Sequence, residues 1–133
     1  MQVKVDWSQA LQFVGQSSKG HQVLMDGNSG TSGASPMELV LMAIAGCSSV
    51  DIVSDLQQAG QGVEACSVDV KAQRAETAPK VFTQIDLIYT LTGQGVDANE
   101  VAKAIDASMD KYCSVAKMLE STAQINASFV INP

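Results

Sequence analysis

The run Ser35-Pro36-Met37-Glu38-Leu39-Val40-Leu41-Met42-Ala43-Ile44-Ala45-Gly46-Cys47 opens with the strongest helix-start signal in the chain. Ser35 supplies a hydroxyl at the N-cap, Pro36 stands at the first helical position and Glu38 brings a carboxylate to the third, the pattern of a capping box. From Leu39 to Gly46 every residue is apolar or small, whereas Asp51, Asp55, Gln57 and Gln58 come later. The first turns are therefore expected to be buried all round. The helix is predicted to stop near Ala59-Gly60-Gln61-Gly62, giving about 25 residues and roughly 37 Å at about 1.5 Å per residue. Against the usual three turns, that length marks a central element.

On the N-terminal side, Val3, Val5 and Trp7 alternate with Lys4 and Asp6, and the period-2 pattern resumes at Leu11 and Phe13. This predicts an opening hairpin, with a third apolar segment from His21 to Met25. Asp26-Gly27-Asn28-Ser29-Gly30-Thr31-Ser32-Gly33-Ala34 is too rich in Gly and Ser for regular structure and is expected to be a mobile surface loop. Its glycines fit neither the dinucleotide-binding nor the P-loop spacing. On the C-terminal side, Cys66, Val68, Val70 and Ala72 share one face. After a turn over Ala75 to Lys80, Val81, Ile85, Leu87, Tyr89 and Leu91 likewise share a face, which predicts a long hairpin with one solvated side. Asp97 and Glu100 then start a helix with Val101, Ile105, Met109 and Tyr112 as its apolar stripe, and Ser114 is placed to cap a short helix reaching Glu120. Ile125, Ala127, Phe129 and Ile131 form a closing strand. The order β-β-β-α-β-β-α-α-β, without repeats or linkers, predicts one α+β domain over residues 1–133, with antiparallel sheets around a long central helix.

The chain has 133 residues, 46% of them hydrophobic, and 14 acidic against 8 basic side chains, a formal charge of −6. The lysines and arginines are scattered, so no basic patch exists to hold a phosphate backbone, and nucleic acid is excluded as a partner. The apolar run from Leu39 to Cys47 is far shorter than the ~20 residues of a bilayer span, and no membrane is expected. The N-terminus alternates like a strand and lacks the charged and apolar regions of a signal peptide, so a cytoplasmic location is expected. Three cysteines, Cys47, Cys66 and Cys113, without C-x-x-C spacing argue against a disulfide framework and, with the lone His21, against a structural zinc site. Neither a metal nor an organic cofactor is expected.

What remains as chemistry is free thiols, inert or reactive. Cys47 lies beyond the first turn of its helix, where the dipole no longer helps ionisation, and Cys66 shares its face with valines; both read locally as packed core thiols. Cys113 precedes a helix start, where unpaired N–H groups favour a thiolate. His21 reads as an exposed strand residue, Glu38 as a helix cap, and Lys111 and Lys117 as surface charges beside Cys113. Met37, Met42, Met109 and Met118 fill a core at helical spacing, or line an apolar mouth suited to an alkyl substrate.

At Ser35-Pro36-Met37-Glu38-Leu39, through Ala43-Ile44-Ala45-Gly46-Cys47, and again at Lys111-Tyr112-Cys113-Ser114-Val115-Ala116-Lys117, the chain resembles the OsmC-like organic hydroperoxide resistance family. The resemblance covers nearly the whole chain. It implies an intertwined α+β homodimer and a peroxidase that reduces organic hydroperoxides through a two-cysteine redox pair. Cys47 would be the peroxidatic thiol and Cys113 the resolving one, and a dithiol, in family members often lipoyl-linked, would be the reductant. The family's active members also set a glutamate directly after the helix-start proline against an arginine from an early loop. Here Met37 holds the glutamate position, Glu38 lies about 100° further round the helix, and no arginine precedes Arg74. Lys19 and His21 are left as replacements for the missing charge partner. A non-enzymatic thiol-sensing or small-molecule-binding module of the same fold is the competing reading, and the missing pair favours it.

Overall fold

The computed structural model describes residues 1–133, and the chain divides into two compact units, Met1–Met42 and Ala43–Pro133. In the first, β1 (Val3–Gln9), β2 (Gln12–Ser17) and β3 (Gln22–Asp26) form an antiparallel sheet in that order. Its register sets Trp7 opposite Phe13 and Phe13 opposite Met25, so the alternating apolar residues meet on one face. Every residue of β1 is exposed, Val3, Val5 and Trp7 included. An apolar hollow of about 320 Å³ is lined by Val5, Leu11, Phe13, Met25, Gly27 and Pro36.

The Gly- and Ser-rich stretch after β3, expected to hold no regular structure, is organised around one carboxylate. Asp26, itself buried, accepts the N–H of Asn28 at 2.7 Å and of Ser32 at 2.9 Å. The reading of Ser35 and Glu38 as a capping box holds: the Ser35 N–H donates to Glu38 Oε1 at 2.9 Å and the Glu38 N–H to Ser35 Oγ at 3.1 Å. Gly30 is required here, since its φ is +69° and a Cβ on it would stand 2.6 Å from Glu38 Oε1.

The helix so started, α1 (Pro36–Gln58), runs for 23 residues. Its buried positions are Ile44, Ser48, Ile52 and Leu56, one stripe at i, i+4 spacing. The expected burial all round does not occur, because Met42 and Val50 are 56% and 70% exposed and Ala43 and Gly46 also face outward. Only the stripe of Ile44, Ser48, Ile52 and Leu56 is fully covered. By length and composition α1 is also apolar enough to cross a membrane, with a mean hydropathy of 1.7 over its best window, which the short run Leu39–Cys47 had concealed. Its polar side chains argue for a core helix instead: Ser48 bonds the Tyr89 hydroxyl and Asp51 the Ser108 hydroxyl.

In the second unit β4 (Ala65–Arg74) and β5 (Phe82–Thr92) make the long antiparallel hairpin that the alternation predicts. Ile85, Leu87, Tyr89 and Leu91 of β5 are completely buried, while the β4 residues between Cys66, Val68 and Val70 face water. The chain then passes through α2 (Ala98–Ala107), a π-helical turn (Ser108–Tyr112) and α3 (Ser114–Leu119) to β6 (Gln124–Asn132). β6 pairs parallel to β5, so this sheet, in the order β4-β5-β6, is mixed where antiparallel pairing is expected. The helical crossover carries the chain back to the starting end of β5, and a parallel neighbour follows from that return.

The two N–H donors hold the Asp26 carboxyl below its ordinary value of 3.8. The ionised form is therefore favoured in the folded chain, and its stabilising effect is present above pH 3.8 and lost as the pH falls through the lowered folded value. Urea midpoints should fall on acidification through this window, and Asp26→Asn should flatten that fall while lowering the midpoint at neutral pH. An unchanged acid limb in Asp26→Asn would show that the loop carboxylate is not its source.

Candidate functional site

Cys47 is half-buried on α1, and Cys113 is fully buried at the junction between the π-helical turn and α3. The two thiols, 66 positions apart in the sequence, stand near one another in the second unit, and the neighbouring Cys47 thiol favours the protonated form of Cys113. Cys66 on β4 is half-buried beside Ser49 and opens with Val50, Val53, Ser54 and Gln57 onto an open groove, and its burial pushes its thiol up from the ordinary 9.0. All three cysteines are free thiols.

The π-helical turn explains how Cys113 reaches the interior. The buried residues of α2 and the turn, Val101, Ala104, Ile105 and Ser108, follow helical spacing. Uninterrupted, that stripe would next bury position 111 or 112, as the sequence reading of Tyr112 assumes. Instead the Cys113 N–H donates to the Ser108 carbonyl five residues back, at 2.8 Å, and the wider turn admits one extra residue. Tyr112 is thereby turned out to 58% exposure and Cys113 turned in to 0%.

Cys113, not Ser114, is the N-cap of α3, and its Sγ accepts the Ala116 N–H at 3.4 Å. The expectation that this helix start favours a thiolate is overturned. Burial of the sulfur pushes the thiol up to about 11, and the Cys47 thiol pushes in the same direction; the N–H groups of Ala116 and Val115 pull it down without prevailing. A sulfur stripped of water loses more in becoming an anion than two amide dipoles restore.

The flanking lysines are engaged elsewhere. Lys117 pairs with Glu120 at 2.6 Å, and Lys111 lies 5.3 Å from the centre of the Tyr112 ring. Glu38 is committed to its cap, and the Ser35 N–H holds its carboxyl below the ordinary 4.5. His21 is exposed in the first unit, its backbone N–H donating to Ser17 Oγ at 3.1 Å. No group of three or more metal-ligating side chains occurs.

Four polar residues near the thiols, Ser48, Asp51, Tyr89 and Ser108, are given no site role by the sequence reading. Ser48, adjacent to Cys47 and fully buried, donates to the Ile44 carbonyl at 2.8 Å. Its single proton being so placed, it accepts from the Tyr89 hydroxyl. Burial pushes the Tyr89 phenol up to about 12, so it stays a donor across the working pH range. Asp51, one turn beyond Cys47, accepts the Ser108 hydroxyl at 2.9 Å. The only sequence signal for Ser48 is a hydroxyl in an otherwise apolar stretch, which alone reads as a residue bonding back to its own helix.

The balance at Cys113 is open to measurement. With carbon-13-labelled cysteine, the Cβ resonance of Cys113 should keep its thiol position at pH 9.0, where an ordinary cysteine is half ionised. A half-shifted resonance at that pH would mean that the N–H groups of α3 outweigh burial.

The family model described as OsmC-like protein matches residues 27–128. Protein YhfA of Escherichia coli K12 is 49% identical over 131 residues, covering 98% of both chains. A solved structure of a hypothetical protein from Aquifex aeolicus is 28% identical, with a TM-score of 0.89 over 98% of this chain and 95% of that one. The organic hydroperoxide resistance protein OhrB of Bacillus subtilis is 13% identical, with a TM-score of 0.64 over 98% of each chain, a likeness of fold. The family match spans both the cap that starts α1 and the segment that carries Cys113, and on it this chain belongs to the OsmC-like protein family.

Proposed function

We propose that this chain acts, as one OsmC-like domain over residues 1–133, in a cytoplasmic homodimer that reduces organic hydroperoxides through Cys47 and Cys113. The observation that carries the reading is the apposition of the two thiols inside one unit. The Cys47 thiolate attacks the peroxide O–O bond, an alcohol leaves, and Cys47 becomes a sulfenic acid. Cys113 then attacks that sulfur; its thiol proton leaves with the sulfenic hydroxyl as water, and a Cys47–Cys113 disulfide forms. The attacking form is the thiolate, so the Cys113 proton must pass from its sulfur to the leaving hydroxyl as the S–S bond forms. An external dithiol restores both thiols by exchange and becomes a disulfide itself. The two sulfurs carry the chemistry without metal or organic cofactor.

The outward apolar surface supports the dimer. Val3, Val5 and Trp7 of β1 and Met42 and Val50 of α1 are each more than half exposed, which leaves apolar area for a second copy to cover. The competing reading, a thiol-sensing or small-molecule-binding module, draws on the missing charge pair. Met37 stands where active family members carry glutamate, Glu38 is tied to Ser35, and no arginine precedes Arg74.

Reduced protein treated with an alkyl hydroperoxide should yield a Cys47–Cys113 disulfide by mass spectrometry, and Cys47→Ser should abolish it; a wild-type chain without that bond ends the peroxidase reading. Steady-state turnover with a dithiol separates catalyst from sensor, since a sensor stops after one equivalent. In sedimentation the chain should run at twice its own mass and Val5→Asp should shift it toward the monomer; a wild-type monomer would count against the dimer.

A further inference from the structure

We infer that Asp51 and Ser108 form a positioning clamp that holds the Cys113 segment against the Cys47 segment. The inference rests on the two-cysteine reading and goes beyond it by naming residues that touch neither peroxide nor reductant. Asp51 lies one turn after Cys47 on α1, and i, i+4 residues share a face of a helix. Ser108 opens the π-helical turn, and its carbonyl receives the Cys113 N–H at 2.8 Å. The Ser108 hydroxyl donates to Asp51 Oδ2 at 2.9 Å, a charge-assisted bond from a fully buried residue. Ser108 thus holds the backbone of one thiol through its carbonyl and the helix of the other through its hydroxyl.

The geometry gives the clamp a specific task. The π-helical turn is the element that turns Cys113 inward, and a turn with one residue too many has an alternative in which the helix continues and Tyr112 comes inward. Anchoring Ser108 to Asp51 fixes the start of the turn on the same face of α1 that carries Cys47. The clamp therefore sets the effective concentration of one thiol at the other, a property of the couple and not of either sulfur alone.

The test measures the Cys47–Cys113 disulfide equilibrium in mixtures of oxidised and reduced dithiothreitol, together with the melting temperature of every variant. The protein thiols are oxidised as the cyclic dithiothreitol disulfide is reduced, so no peroxide chemistry is involved. Ser108→Ala and Asp51→Ala should each lower the protein-disulfide equilibrium constant roughly tenfold, the scale of a lost hydrogen bond to a charged group. Asp51→Asn, which keeps an acceptor oxygen, should restore most of it. Equal constants in wild type, Ser108→Ala and Asp51→Ala overturn the clamp. So does a fall in Asp51→Asn as deep as in Asp51→Ala, since a general loss of stability would then explain both. If Ser108→Ala does not fold, the two Asp51 variants carry the comparison. Constants in the expected order, with no disulfide formed by hydroperoxide, uphold the clamp and overturn the peroxidase reading alone. A wild type that forms no Cys47–Cys113 bond even in dithiothreitol overturns both.

Discussion

The bond from the Cys113 N–H to the Ser108 carbonyl spans five residues instead of four, and much of the second unit follows from that step. One additional residue rotates everything after it by about 100° relative to an unbroken α-helix. The rotation exchanges an aromatic side chain for a thiol at the inner position, ends the helix, and leaves the sulfur as the first acceptor of the next one. It also precedes the return of the chain to β6, whose parallel pairing with β5 completes the sheet. The local irregularity and the mixed sheet belong to one path through the crossover.

Around that sulfur two electrostatic influences oppose each other, and their ranking shapes the chemistry available. Amide N–H groups at a helix start stabilise negative charge, but only by partial charges acting over a few ångströms. Removal of water acts on the whole anion and prevails at Cys113. Hydroxyls also populate this interior: Tyr89 donates to Ser48, and Ser48 to its own helix, so the buried oxygens form a satisfied chain beside the thiols. A satisfied network offers no spare donor to steady a thiolate.

Much of the fold was legible because the signals are local. The cap at Ser35 and Glu38, the alternation of β4 and β5 and the order of elements each rest on residues within a few positions of one another, and the structure reproduces them. The errors fall where local pattern and tertiary setting separate. The apolar stripe through Met109 and Tyr112 assumed one helical period, which the π-helical turn breaks. The all-round burial of α1 assumed that an apolar helix is enclosed by its own chain. The thiolate at Cys113 assumed that a helix start lies in water. Cys113 was singled out locally by the helix start that follows it, but its pairing with Cys47 came from family resemblance; the bonds of Ser48 to Tyr89 and of Asp51 to Ser108 were missed because the partners are remote in sequence.

The complete enclosure of Cys113 also affects how such a protein would meet the ordinary thiol pool of a cell. A sulfur with no surface cannot be capped by glutathione or over-oxidised by a stray oxidant arriving from solution. Whatever reaches it must come by way of its half-exposed neighbour, or wait for the fold to open. Adduct formation would then start at Cys47 or Cys66, leaving the inner sulfur in reserve through conditions that exhaust more open thiols.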